Sequence, residues 1–437
     1  MTSLHVPQEP TGEEQVGMLG FLTGGPGIGG RLRAEPEDFV VEEISLPPPE
    51  VPGGDHVAVV IRLRKWETNR FVRQMSRRLG ISSRRVRFAG VKDKRAVTTQ
   101  LFTIQAPLDS VRGLRMTDVE LLSVHPTDRH VGLGDLVGNR FRISVTGMEL
   151  DADDARDGAA AVLEEARAEG GFPNFYGHQR FGVARPVSHL VGEALVRGDV
   201  EGACWAYIAH PGVGEEPEVS AARRAVADSR DVREGLRTMP RVLGNERNLL
   251  EHLLHHPDDH AGAIRRLPFN LQLMFIHAFQ GLAFNMVLSE RMRRGMSLVV
   301  PSEGDVVIPV DRNGNPVHDS PVPVTARNVD KVTRQVERGR AVVTGAVPGT
   351  TSPLAEGEMG EVEAAVMEDL GVTREDFRIV DLTELTSPGI RRELAIAGAD
   401  PVLDASQDRV TLEFKLQKGC YATCVLREVM KARLMAY

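Results

Sequence analysis

"RRVRFAGVKDKRAVTTQ", residues 84–100, decides how this chain is read. Two β-prone runs, "RVRFAG" and "AVTTQLFTIQA", flank a short cationic connection in which one aspartate, Asp93, stands between Lys92 and Lys94. The spacing predicts a strand on either side, so Asp93 falls on a strand-to-strand connection, where a rigid scaffold commonly carries catalytic groups. The bland reading is a turn aspartate paired with adjacent cations. The functional reading is a carboxylate that those cations keep ionised, able to act as nucleophile or general base. One carboxylate cannot hold Mg²⁺ for phosphoryl transfer, because such sites use several oxygen ligands. That disfavours a nuclease and favours chemistry at a sugar or base.

Outward from this motif, "FVVEEI" (39–44) and "HVAVVIRLRK" (56–65) read as strands separated by a Pro/Gly loop. Thr68 is expected to cap a helix with Phe71, Val72, Met75 and Leu79 at helical spacing and Gly80 as its stop. "NRFRISVTGM" reads as a strand and "DADDARDGAAAVLEEARAEG" as an amphipathic helix. Between about 185 and 390 the chain turns more helical and acidic. There "LPFNLQLMFIHAFQGLAFNMVLSERM" places Leu271, Met274, Phe275, Ala278 and Leu282 on one face of a long helix. The end, "DRVTLEFKLQKGCYATCVLREVMKARL", returns to strand, Gly turn and helix. Strand-rich ends around a helical middle predict an α+β fold with an inserted domain. The expected division is a polar, disordered tail (1–18), the first part of a catalytic domain (19–184), an insertion (185–390) and the rest of the catalytic domain (391–437).

The chain has 437 residues and a net charge of −8, but the charge is unevenly placed. From Ile61 to Gln100 thirteen Lys/Arg stand against Glu67 and Asp93, a local +11 that leaves −19 for the remainder. Such a block is the expected footprint of a polyanion; a solvated basic face is the plain alternative. Arg77, Arg78, Arg84, Arg85, Lys92, Lys94 and Arg95 are the candidates for contacting an RNA backbone.

Other patterns carry less. Three cysteines exclude a disulfide framework. The start has no basic or apolar leader region, and no uninterrupted apolar run approaches the ~20 residues of a membrane span, so a soluble, intracellular protein is expected. Gly25-Pro26-Gly27-Ile28-Gly29-Gly30 fits G-x-G-x-x-G, but lacks a preceding strand and a following helix; a flexible lead-in loop is the better reading. The i, i+4 pair His252/His256 in "EHLLHHPDDH" lacks a third ligand of definite geometry, and no G-x-S-x-G occurs. In "GFPNFYGHQRFG" (171–182), Phe172, Phe175, Tyr176 and Phe181 are interleaved with Asn174, Gln179 and Arg180. Aromatics stack on unpaired bases and amides read base edges; the polar residues and three glycines argue against a core cluster.

"FAGVKDKRAVTTQ", "NFYGHQRFG", "EPEDFVVEEI" and "GCYATCVLRE" together resemble the TruD family of pseudouridine synthases, in the family's order and across nearly the whole chain. The long middle segment resembles the family's inserted TRUD domain at the length of archaeal and eukaryotic members. The resemblance implies a mixed, largely antiparallel sheet flanked by helices. It also implies isomerisation of uridine to pseudouridine in tRNA, typically at position 13, without cofactor or metal, by a cytoplasmic protein expected to be a monomer. It puts Asp93 on the catalytic aspartate, and Phe39, Asn174 and Tyr421 in the uridine pocket. Arg33 stands where lysine is frequent, and Tyr421 where some members have Phe. Tyr176 and Gln179 complete the expected substrate-binding set. A non-catalytic RNA-binding or RNA-folding protein on the same scaffold is the rival reading.

Overall fold

The computed structural model describes residues 4–92, 94–132, 135–182, 184–212, 214–406 and 408–437. Its fold is α+β. The principal sheet takes β1 (Phe39–Ile44), β2 (His56–Arg64), β3 (Val86–Phe88), β4 (Val97–Ile104), β5 (Val119–Thr127) and β6 (Gly138–Thr146) from the first third of the chain. A two-residue strand, β7 (Phe172–Pro173), follows. The middle supplies β8 (Val306–Pro309), β9 (Val322–Pro323), β10 (Ala341–Val347) and β11 (Ile390–Glu393). The end supplies β12 (Ala395–Ile396), β13 (Val402–Ser406) and β14 (Arg409–Gln417). The large sheet runs β13-β14-β6-β1-β4-β2-β5, with β3 paired to β4. Among the described residues only β1–β4 is parallel, Val40 opposite Val97; β1–β6 is antiparallel, Val41 opposite Phe141. A smaller antiparallel sheet, β11-β10-β8-β9, belongs to the middle segment.

The helix Thr68–Leu79 shows how one sequence pattern serves two faces. Phe71, Val72 and Met75 are buried against Val59, Ile61, Phe102 and Ile104. Each such side chain contributes about 1.5–3 kcal/mol on burial. The opposite face carries Arg70, Arg73, Arg77 and Arg78, all exposed. Gly80 ends the helix at φ 65°, a conformation without steric cost only for glycine. The cap differs from expectation: Glu67, not Thr68, accepts the orphan amides of Asn69 and Arg70. The Thr68 hydroxyl is engaged elsewhere.

The helix Phe269–Arg293 is buried nearly all round rather than on one face. Phe275, Ile276, Phe279, Leu282 and Phe284 are all 8% exposed or less, so the helix is the axle of the main core rather than its lid. It is long and apolar enough to cross a membrane by composition alone, yet 72% of its apolar window is buried inside the protein. The Gly25–Gly30 stretch is packed rather than a loose lead-in. A side chain on Gly27 would meet the Met430 carbonyl at 2.1 Å, and one on Gly30 the Val145 side chain at 2.6 Å. Ile28 and Gly29 donate to the carbonyls of Val429 and Met430. These contacts fix the chain just before Arg33.

Candidate active site

Arg33 follows directly from that anchored stretch. Its backbone is left-handed, at φ 58°, with Leu32 donating to the Ala436 carbonyl beside it. Its Nη1 donates to the Tyr437 carbonyl at 2.9 Å, and its guanidinium lies 4.1 Å over the Phe39 ring. Phe39 opens β1 after a 3-10 turn, Pro36–Asp38, closed by reciprocal Glu35 and Asp38 capping. Phe39 meets Phe141 edge-on at 6.4 Å, and Phe141 stacks on Phe414 at 5.5 Å. A ring with a cation on its face thus sits at the end of a row of packed aromatics.

Asp93, the expected catalytic group, lies outside the described residues, and so does its geometry. The segment leading to it is held from two sides. Gln100 on β4 donates from Nε2 to the Gly90 carbonyl at 2.8 Å, and the Lys92 amide donates to Thr68 Oγ1 at 2.9 Å. Thr68 donates in turn to Gln100 Oε1 at 3.1 Å. Thr68 and Gln100 are both buried. Sequence reasoning misses this role for both side chains. It expects Thr68 at a helix cap, and no local pattern ties that residue to one on β4.

Lys92 corrects another expectation. Its ammonium is turned inward, donating to Asn139 Oδ1 at 2.7 Å and lying 3.5 Å from the buried Glu43 carboxylate. Enclosed in this way, it belongs to the wall of the site rather than to a surface that meets phosphates. The other backbone candidates, Arg77, Arg78, Arg84, Arg85, Lys94 and Arg95, are exposed. Arg78 donates to the Arg115 carbonyl and Arg85 to Gln105, and among the described residues none of the six is ion-paired with a carboxylate.

A cavity of about 220 Å³ gathers Arg33, Phe39, Lys92, Asn139, Gln179 and Tyr421 among its lining residues. That is room for about seven waters, or one nucleobase. Gln179 reaches it from the 3-10 turn His178–Arg180, and Tyr421 from the residue before the helix Ala422–Met430. A larger hollow of about 710 Å³ borders the Gly25–Gly30 loop. Its charged lining is Glu149 and Asp154, the wrong sign for a phosphate-bearing ligand.

Asn174 and Tyr176 stand behind this cavity instead of lining it. Asn174 is fully buried; its Nδ2 donates to the Glu393 carbonyl at 3.0 Å and its Oδ1 accepts from Arg392 Nη2 at 2.8 Å. Tyr176 is buried with Arg392 4.2 Å over its ring, and it meets Tyr421 edge-on at 6.4 Å. Phe172, Phe175 and Phe181 are likewise core residues, 3% exposed or less. The polar neighbours that argued against a core cluster are compatible with burial because their partners come from distant segments. Arg392 is the clearest of these and carries no motif of its own. Burial works against its charge, but the nearby Tyr176 and Glu393 outweigh that and raise its pKa.

The cysteines offer no thiolate. Burial, and then the Glu393 carboxylate, push the Cys420 thiol up to about 12; burial does the same at Cys424 and Cys204. His252 is occupied by Asp259 at 2.9 Å, and among the described residues no group of three His, Cys, Asp or Glu is arranged to hold a metal.

A cation over a ring, an inward lysine, an amide and a second ring give one cavity the chemistry to receive a flat polar ring. Comparisons with known proteins place the whole chain in a family. A family model described as tRNA pseudouridine synthase D (TruD) matches residues 15–429. The Methanosarcina mazei protein named "Probable tRNA pseudouridine synthase D" is 40% identical over 430 residues, covering 97% of this chain and 98% of its own. The Halobacterium salinarum protein of the same name is 39% identical over 438 residues, covering 97% and 98%. The crystal structure of a Methanosarcina mazei chain described as tRNA pseudouridine synthase D (TruD) superposes with a TM-score of 0.87 at 38% identity, covering 99% of this chain and all of that one. The chain belongs to the tRNA pseudouridine synthase D family.

Proposed function

We propose that this protein isomerises uridine to pseudouridine in tRNA, at position 13, with Asp93 as the catalytic carboxylate. The observation that carries the reading is the single-base cavity formed by Arg33, Phe39, Lys92, Gln179 and Tyr421, beside the segment that Thr68 and Gln100 hold. The reaction breaks the C1′–N1 bond, turns the uracil and joins its C5 to C1′; the C5 proton then leaves and N1 takes one up, so the product is an isomer of the substrate. Asp93 either attacks C1′ or takes a proton from the sugar. The detached uracil is anionic, and Arg33 and Lys92 offer it positive charge inside a partly closed cavity. Phe39 and Tyr421 grip the ring by its faces and edges without fixing its rotation. Because the base must leave the helix to enter, the site also favours a flipped nucleotide.

The exposed arginines at 77, 78, 84 and 85 lead the RNA backbone to this cavity, and the insertion from 185 to 390 clamps it. The protein works as a cytoplasmic monomer, and the reaction needs no metal or cofactor. Incubation with tRNA transcripts followed by pseudouridine mapping tests the reading. Pseudouridine at position 13 is expected, with turnover unaffected by exhaustive chelation. Tight binding with no modified position would favour an RNA-binding or RNA-folding role instead.

A further inference from the structure

Tyr437 lies beyond the last of the four resembling motifs, which ends at Glu428, and beyond the residues that the family model matches, which end at 429. It is nevertheless in contact with the candidate active site. Its main-chain oxygen accepts from Arg33 Nη1 at 2.9 Å, and the neighbouring Ala436 carbonyl accepts from the Leu32 amide at 2.7 Å. Consecutive residues of one short segment thus grip both the Arg33 side chain and the backbone just before it. Arg33 needs such support. Its backbone is left-handed, at φ 58°, which costs a residue with a side chain about 1–2 kcal/mol. Its long side chain must also give up rotamer freedom to lie over Phe39.

Tyr437 is fixed in turn by a buried ionic cluster to which the proposed chemistry gives no role. The residue is 8% exposed, and its ring stacks on the His178 ring at 6.0 Å and 28°. His178 Nε2 lies 3.0 Å from Glu13 Oε1, and the other oxygen of Glu13 accepts from Arg427 Nε at 2.7 Å. Burial works against the Glu13 charge, but Arg427 and His178 outweigh it and hold the carboxyl below its usual range. The Tyr437 hydroxyl accepts from the Ala432 amide at 3.1 Å, which closes the 432–437 segment on itself. Ring, hydroxyl and main-chain oxygen therefore all have defined partners, and the partner of the last lines the single-base cavity.

We infer that Tyr437 is a positioning residue for the proposed reaction, holding the Arg33 guanidinium over Phe39, where its charge meets the detached uracil. The inference rests on the proposed pseudouridine chemistry. The uracil becomes anionic only as the C1′–N1 bond gives way, so a displaced Arg33 weakens an interaction made in the transition state and not in the bound substrate. The effect therefore belongs in kcat, with KM nearly unchanged. Its test is pseudouridine formation in a tRNA transcript, measured through a double-mutant cycle of Tyr437→Ala and Arg33→Gln. Tyr437→Ala alone should lower kcat about tenfold, with KM within about twofold of wild type. Tyr437→Phe keeps the ring on His178 and should hold kcat within about threefold of wild type. In the Arg33→Gln background, Tyr437→Ala should cost less than about twofold more, since the charge it positions is gone. Tyr437→Leu keeps most of the buried volume and is measured through the same cycle, so the test stands even if the alanine variant folds poorly. An equal loss with and without Arg33, or wild-type kcat in the alanine and leucine variants, would overturn the positioning role and leave the functional reading intact. No pseudouridine formed by the unaltered protein would overturn the functional reading together with it.

Discussion

Arg392 donates to Asn174 Oδ1 at 2.8 Å while its guanidinium lies 4.2 Å over the Tyr176 ring. The same side chain donates to the Gly419 carbonyl at 3.1 Å, two residues before Tyr421. One buried guanidinium therefore ties the 172–181 segment to the residue that walls the single-base cavity. A planar fork can serve a ring face and several acceptors at once, and a lysine cannot. Arg392→Lys is expected to keep the fold while lowering kcat by about tenfold through a displaced Tyr421. Asn174→Ala should cost about 1–3 kcal/mol in urea unfolding, because it strips a buried partner from Arg392. Wild-type kcat in the lysine variant would mean that the linkage is purely structural.

Asp93→Asn removes a charge and almost no volume. Turnover should fall below detection, with unchanged thermal unfolding and nearly unchanged tRNA affinity. Turnover within about threefold of wild type, roughly 0.6 kcal/mol in barrier, would take Asp93 out of the catalytic role.

Thr68→Val keeps the branched shape and deletes the hydroxyl that accepts from the Lys92 amide and donates to Gln100. Removing this pair of hydrogen bonds should cost about 1–3 kcal/mol of stability. Because the freed amide lies one residue before Asp93, kcat should fall further than stability alone explains, while KM changes little. A variant with normal kcat would show that the connection holds its shape without Thr68.

How much of this is legible in the sequence depends on the range of each interaction. The run 97–104 gives a strand because its β-branched and apolar residues are buried on both faces from Gln100 to Ile104, the stretch 409–417 gives one because its side chains mostly alternate between core and solvent, and the Phe71/Val72/Met75 spacing gives a helix because those residues share one buried face. Four of the six expected substrate-binding residues, Arg33, Phe39, Gln179 and Tyr421, meet in one cavity. Asn174, which the resemblance puts in the uridine pocket, is fully buried and held by Arg392, 218 residues away, and the sequence around it shows only a polar residue among rings. Lys92 resembles its exposed neighbours in type, and only the inward Glu43 and Asn139 distinguish it. The long helix 269–293 looks one-sided because a single stripe satisfies the pattern, whereas its other faces are covered by segments distant in sequence.

Acid should reveal His189. It is buried edge-on against Phe181 at 5.6 Å, with no partner for its Nδ1 among the described residues. Burial, and then the nearby His210, hold its pKa at about 4 against 6.5 in the unfolded chain. The unfolded state therefore takes the proton first. The contribution of neutral His189 is full above about pH 6.5 and is lost as the pH falls towards 4, a difference of about 3 kcal/mol. His189→Phe should flatten this part of the acid limb relative to wild type, as read from urea midpoints between pH 7 and 4. Parallel limbs in the two proteins would place the titration elsewhere.

The basic block answers a separate question, how an acidic protein holds a polyanion. Arg77, Arg78, Arg84 and Arg85 are exposed, and among the described residues none pairs with a carboxylate. Reversing all four to Glu should therefore cost the fold little, since exposed sites of this kind shift stability by about 0.5 kcal/mol or less each. RNA binding should respond very differently. Every phosphate that the protein no longer neutralises takes about 0.7–0.9 from the slope of log affinity against log salt. The quadruple variant should bind tRNA more weakly at low salt, and its affinity should fall less steeply as salt rises. An unchanged slope with weakened binding would mean that the RNA follows another face and feels these charges only at long range. A large fall in melting temperature would mean that the arginines hold the protein together rather than the RNA.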